Sequence, residues 1–248
     1  MRSTILNIAG WIILLTIWFT VTELKLINSH ILPSPGKTLD AFFMMLNEDN
    51  LIGNIMFSLK INFAGYIESI LLALPVGFAL GLSDVGRKMF SQQIDSLRFI
   101  PITALGGIFI ALSGLTIWTK IHFLAFGIWV YLVPVIVQRI IEVNPVHLQM
   151  MQTLGATRWQ TFRYVQWRSV VSRLSDDIRI LVGISWTYII VAELKNVQGG
   201  LGSLIAASDR QSNIGMAYAV ILIIIVIGII QDRLFKFIDW VLFRFKYE

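Results

Sequence analysis

Two groups of residues in this 248-residue chain carry most of its chemical interest. The first is a pair of carboxylates in apolar surroundings: Glu68 in the middle of an apolar run over 58–82 and Glu193 at the end of another over 178–192. An ionisable side chain costs about 2.5–3.5 kcal/mol at the centre of a bilayer on insertion scales, so one that is present has work to do. For Glu68 the options are a buried hydrogen bond, a subunit contact or the lining of a pathway. The second group is a basic interlude over 148–179, where arginines and polar residues alternate with Met150, Met151, Leu154, Trp159 and other apolar residues. Its chemistry is recognition: amphipathic helices of this kind are gripped in a partner's groove or lie on lipid phosphates.

Bond-breaking chemistry has no support. His30, His122 and His147 are scattered, and neither His-Glu-x-x-His nor Gly-x-Ser-x-Gly occurs. The chain has no cysteine, which excludes disulfides, thiol catalysis and cysteine metal sites. No metal site and no cofactor are expected, and the chain reads as a non-catalytic subunit.

The elements that must position these residues are membrane helices. Hydrophobic residues make up 56% of the chain and charged residues 14%, with a mean hydropathy of +0.74, too little polar surface for a soluble domain of this size. The net charge of +5 does not point to nucleic acid, because the basic residues sit at the ends of apolar runs. A bilayer core needs about 20 apolar helical residues, and windows at 3–22, 58–82, 99–118, 121–138, 178–192 and 214–230 meet that need. The fold class is therefore all-α, a polytopic helical membrane protein of about six transmembrane helices. The third and fourth windows are divided only by Thr119 and Lys120, so a half-span or tilted pair would read alike. The first window reads as a retained anchor.

With the N-terminus cytoplasmic, the basic residues sort strongly. Outside fall only Lys25, Lys37, Lys120, Lys195 and Arg210, with Lys60 near the outer end of the second span. Residues 23–54 become an external segment with a turn at Pro33-Ser34-Pro35-Gly36 and a short helix at 38–46. Asp176, Asp177 and Arg179 fall at the start of the fifth span, where acidic residues would cap a helix N-terminus. Asn62, Ser69, Thr103, Ser113, Trp186, Thr187 and Tyr188 are candidates to line a cavity.

In the basic segment Pro145 suits a helix start, and Gly155, followed by Ala156 and Thr157, predicts a close turn between two short helices. The residues here resemble the membrane subunits of ATP-binding-cassette importers, in the branch that handles nitrate, sulfonates, taurine and related molecules. That family's cytoplasmic signature runs Glu-Ala-Ala, three residues, Gly, nine residues, then Ile-x-Leu-Pro. It falls on Gln149-Met150-Met151, Gly155, Val165, Trp167 and Arg168, and Leu154 to Trp159 is similar to the branch's Leu-Gly-Ala-Ser core. Further resemblances follow in the family's order: Leu32-Pro33-Ser34-Pro35, Ser58-Leu59-Lys60, Leu97 to Ala104, and Ala192-Glu193 with Gly200-Leu201-Gly202. The chain departs from the pattern at Gln149, Met150-Met151 and Arg168, and at Gly106-Gly107 where the branch has proline-leucine.

The resemblance implies a single permease domain over 1–248, with its core at about 50–240, an anchor helix at 3–22 and a coupling segment at 146–173. Met150, Met151, Leu154, Ala156 and Trp159 are then the ATPase contacts, Gly155 and Thr157 form the turn, and Arg158 and Arg163 pair with acidic rims. Glu193 resembles the family's acidic residue near the external gate, with Glu68, Trp186 and Thr187 as further pathway candidates. No Gly-x-x-x-x-Gly-Lys-[Ser/Thr] phosphate loop occurs, so the energy comes from elsewhere. The implied partners are a soluble ATP-binding-cassette ATPase, an external substrate-binding protein, a second permease copy (a homodimer) and membrane lipid, all at the cell's inner membrane with both termini cytoplasmic. The implied cargo is an oxyanion, sulfonate or vitamin precursor. An ion-coupled secondary carrier using Glu68, or a non-transporting scaffold, stands as the alternative.

Overall fold

The computed structural model describes residues 2–195 and 199–247. The helices are α1 (Arg2–Glu23), α2 (Pro35–Asn47), α3 (Leu51–Leu82), α4 (Asp84–Leu97), α5 (Ile102–Ser113), α6 (Ile117–Ile141), α7 (Pro145–Thr153), α8 (Arg158–Thr161), α9 (Trp167–Ile180), α10 (Val182–Lys195), α11 (Leu201–Gln211) and α12 (Ile214–Leu242). A π turn over Phe162–Gln166 joins α8 to α9, and a 3₁₀ turn over Arg244–Lys246 follows α12. Among the described residues there is no strand.

Each window expected to span contains helix, but the helices differ in length for local reasons. By length and composition α3, α6 and α12 can each cross a membrane, and α4 with α5 makes a fourth candidate bent by 97°. The third window therefore corrects to a helix of 12 residues, about 18 Å long. Pro101 causes the bend, since it disfavours helical geometry at Ile100. The break after α5 lies at Gly114, whose φ is +70°, so Thr119 and Lys120 fall inside α6 rather than between two spans. The fifth window corrects to α10, with 14 residues. Asp176 and Asp177 sit in the last turns of α9, so the capping role expected for them does not hold.

The chain divides into two compact units. In the first, residues 1–58 and 197–226, Ser34 caps α2 by accepting from the Lys37 N–H at 3.3 Å, with Pro35 preset at the first helical position. The Trp18 indole donates to Pro33 O at 2.9 Å, and the Tyr218 hydroxyl donates to Ile31 O at 3.1 Å. The start of α11 is unusual: its free N–H groups at Gly200 and Leu201 are taken by the side chains of Asn54 and Ser58, at 2.8 and 2.9 Å.

The second unit, residues 59–196 and 227–248, centres on α6. Gly77 and Gly81 are four residues apart on α3 and let that helix close onto α6. A methyl group added at Gly77 would stand 2.6 Å from Ile136 Cγ2, and one at Gly81 2.5 Å from Ile140 Cδ1. Small residues at this spacing bring helices together in lipid, where no hydrophobic force does so. Gly77→Val is expected to cost about 1–3 kcal/mol by overpacking, read as a lower SDS or heat unfolding midpoint. An unchanged midpoint would show that α3 and α6 do not depend on this contact.

α10 and α12 join the same unit through a buried polar network. The Asn62 amide donates to Ser185 Oγ at 3.0 Å, the Gln231 amide donates to Asn62 Oδ1 at 2.8 Å, and the Trp186 indole donates to Gln231 Oε1 at 2.9 Å. Such bonds average only ~0.6 kcal/mol each in membrane proteins, but they fix which faces of the helices meet.

Candidate functional site

The segment from α7 to α9 is a helical hairpin whose turns are written into its side chains. Asn144 accepts from the Val146 N–H at 2.9 Å, and Pro145 opens α7. Gly155 takes a φ of +69°, a conformation that penalises any residue with a Cβ. Thr157 and Gln160 then form a reciprocal capping box that starts α8. The expected turn at Gly155 is therefore present.

The hairpin leaves its apolar side chains in the open. Met150 is 52% exposed, Leu154 73% and Trp159 68%; Gly155, Thr157, Arg158 and Arg163 are also exposed, while Met151 and Ala156 are half-buried. Arg158 and Arg163 have no ionic partner among the described residues. A segment that simply packed beneath the bundle would bury these groups.

Aromatic rings tie the hairpin to the C-terminal end of α3. Trp159 meets Phe162 at 5.4 Å, Phe162 meets Phe78 edge-on at 5.5 Å, and Phe78 stacks on Trp167 at 5.3 Å. Such pairs add roughly 0.5–1.5 kcal/mol each beyond their buried area. Beside them lies a cavity of about 700 Å³ lined by Phe78, Gln152, Arg158, Trp159 and Phe162. These rings place α8 in aromatic contact with α3 through Phe162.

Behind the hairpin, a charge cluster holds α9 in place. Arg139 at the end of α6 grips Asp177 with two parallel bonds of 2.7 Å and reaches Glu142 at 2.7 Å, the fork geometry that makes arginine pairs strong. Lys246 donates to Asp176 at 2.5 Å and to Ser172 O at 2.9 Å. Hydrogen bonds from Gln138 and then Arg139 hold the Glu142 carboxyl below its usual range. Burial pulls the Lys246 ammonium down, but the hydrogen bonds it donates to Asp176 and Asp239 outweigh it, and its pKa stands above the usual lysine value.

The signs set a pH window. Glu142 contributes stability above its unfolded pKa and loses it as pH falls through its lowered folded value; Lys246 contributes below its unfolded pKa and loses it as pH rises through its raised one. The contribution of this cluster to the unfolding midpoint is expected to hold between about pH 4.3 and 10.4 and to fall on either side. A midpoint that peaks outside this window would show that the cluster does not set the pH dependence.

The intramembrane residues divide. Glu68 on α3 meets His122 Nδ1 on α6 at 2.7 Å, and the Trp118 ring lies 6.1 Å from the imidazole at a shallow angle. Sequence reading singled out Glu68 but left His122 among scattered histidines, because two helices far apart in sequence carry no mark of which faces meet. Glu193 is fully buried, and the equally buried Lys120 lies within its field. Lys195 reaches back to Thr103 O at 2.7 Å. Trp186 is buried and its indole donates to the Gln231 carboxamide, while Thr187 is exposed and donates to Gly183 O at 3.3 Å. Among the described residues no group of acidic, histidine or cysteine side chains is arranged to hold a metal.

The chain thus carries a broken helix pair, an exposed turn-capped hairpin and charged pairs between helices, and residues 69–240 match the family model described as binding-protein-dependent transport system inner membrane component. The chain belongs to this family. It is 25% identical over 236 residues to the taurine transport system permease protein TauC of Escherichia coli (strain K12), spanning 93% of this chain and 86% of that one. It is 22% identical over 237 residues to the putative aliphatic sulfonates transport permease protein SsuC of Bacillus subtilis (strain 168), spanning 94% and 85%. Its fold matches the crystal structure of an amino acid ABC transporter with histidines at a TM-score of 0.64 and 16% identity, over 80% of this chain and 97% of that one. The chain is accordingly an ABC importer permease, a helical inner-membrane transport component rather than a catalyst.

Proposed function

We propose that this permease imports a small oxyanion, sulfonate or vitamin precursor, driven by a separate soluble ATPase that docks on the α7–α8 hairpin. The observation that supports this reading is the exposure of Met150, Leu154 and Trp159 beside two unpaired arginines, Arg158 and Arg163, an apolar centre with a charged rim as protein interfaces have. In this reading both termini and the hairpin are cytoplasmic, a second copy of the chain completes the pathway, and an external binding protein delivers the cargo. ATPase closure shifts the hairpin, the Trp159–Phe162–Phe78 contacts carry the shift to α3, and the spans reorient as rigid bodies about the pathway. Glu193 and Thr187 stand near the external gate, and Glu68 borders the pathway.

A cysteine placed at Thr157, in a chain that has none, tests this. Cross-linking in native membranes is expected to capture a soluble ATPase, with a yield that changes when ATP is added. Capture of lipid or of a non-ATPase alone would overturn the coupling. The Glu68–His122 contact at 2.7 Å is the observation behind a second reading, an ion-coupled carrier that uses Glu68. Uptake after removal of the ATPase separates the two: a carrier continues and an importer stops.

A further inference from the structure

A groove of about 600 Å³ opens between α4 and the C-terminal half of α6, a volume in the range of small-ligand sites. Its lining is divided by chemistry. Arg87, Lys88, Arg98, Ser91 and Gln138 supply positive charge and hydrogen-bond donors, while Leu80, Ile94, Pro134, Val137 and Ile141 form an aliphatic wall. Its single lining carboxylate, Asp95, is already engaged by Arg98 at 2.7 Å, and Arg87 pairs with Asp84.

Two groups are left over. Lys88 is exposed and has no ionic partner among the described residues. Ser91 Oγ is shielded from solvent and makes no hydrogen bond. On its other side α4 exposes Val85, Met89 and Phe90, the apolar strip of a helix lying in a membrane interface.

We propose that this groove binds an anionic phospholipid, its phosphate against Lys88 at the groove's rim and its acyl chains along the aliphatic wall. A soluble anion would use the cations but leave the aliphatic wall uncovered, whereas an acyl chain covers it by van der Waals packing. Basic pockets between transmembrane helices attract anionic headgroups for the same electrostatic reason.

The test uses the full chain released from nanodiscs of equal phosphatidylglycerol and phosphatidylcholine and counts retained lipid by native mass spectrometry. Wild type is expected to retain phosphatidylglycerol in preference, and Lys88→Gln to lower that preference about fivefold. Lys88→Arg should restore it. Lys236→Gln, which removes an exposed cation on α12 outside the groove, should leave it unchanged. Equal retention of the two lipids, or equal loss in the Lys88 and Lys236 variants, would overturn the site in favour of diffuse surface charge. Displacement of the lipid by millimolar inorganic phosphate would overturn it in favour of a soluble anion. Lys88 is exposed and has no ionic partner among the described residues, so the Lys88→Gln chain is expected to keep the wild-type unfolding midpoint.

Discussion

Replacing Leu154 by aspartate is expected to abolish ATP-driven uptake while leaving the chain folded in the membrane. Leu154 stands at the end of α7, is 73% exposed and contributes little to the interior, so its loss costs the isolated chain almost nothing. In the proposed complex the same side chain is covered by the ATPase, and a carboxylate there would be desolvated beside apolar groups. Interface anchors of this kind are worth about 2–4 kcal/mol, roughly a 30- to 1000-fold loss of affinity. Co-purification of the ATPase measures it, with Trp159→Ala as a milder companion. A Leu154→Asp permease that still co-purifies with its ATPase and transports normally would remove the hairpin from the mechanism.

The second large effect concerns Glu193. Its carboxylate is fully buried and Lys120 is 1% exposed, with the two charges acting on each other. Glu193→Leu leaves the lysine charge buried without its counterpart, which costs about 3–5 kcal/mol where it has been measured in proteins. Replacing both, Lys120→Met with Glu193→Leu, is expected to recover most of that loss, because the desolvation of both ions disappears together. Unfolding midpoints of the two single variants and the double variant give the coupling directly. If the double variant is as unstable as the sum of the singles, the two charges are not partners. A double variant that is stable yet transports poorly would place the pair at the gate.

Much of this permease is legible in its residues. Asn144-Pro145, Gly155 and the Thr157–Gln160 box act within a few residues of themselves, so the α7 start, the turn and the α8 start follow from local chemistry. The Gly77–Gly81 spacing was also present as a signal of close helix approach, though it names no partner. Pro101 is a local instruction as well, yet apolar composition over 99–118 obscured it, because hydropathy averages across a bend that one residue makes.

The sequence by itself determined that the chain is an all-helical membrane protein with an amphipathic hairpin, because hydropathy and capping are properties of neighbouring residues. Only the tertiary structure decided that Glu68 meets His122, that Lys120 lies buried with Glu193, that Trp186 turns inward to Gln231 and that Asp176 and Asp177 clamp α9 instead of capping the fifth span. Each of these depends on which faces of distant helices come together. That is settled by the packing of whole surfaces such as Gly77 against Ile136, and a periodic pattern along one helix does not specify the helix it will meet.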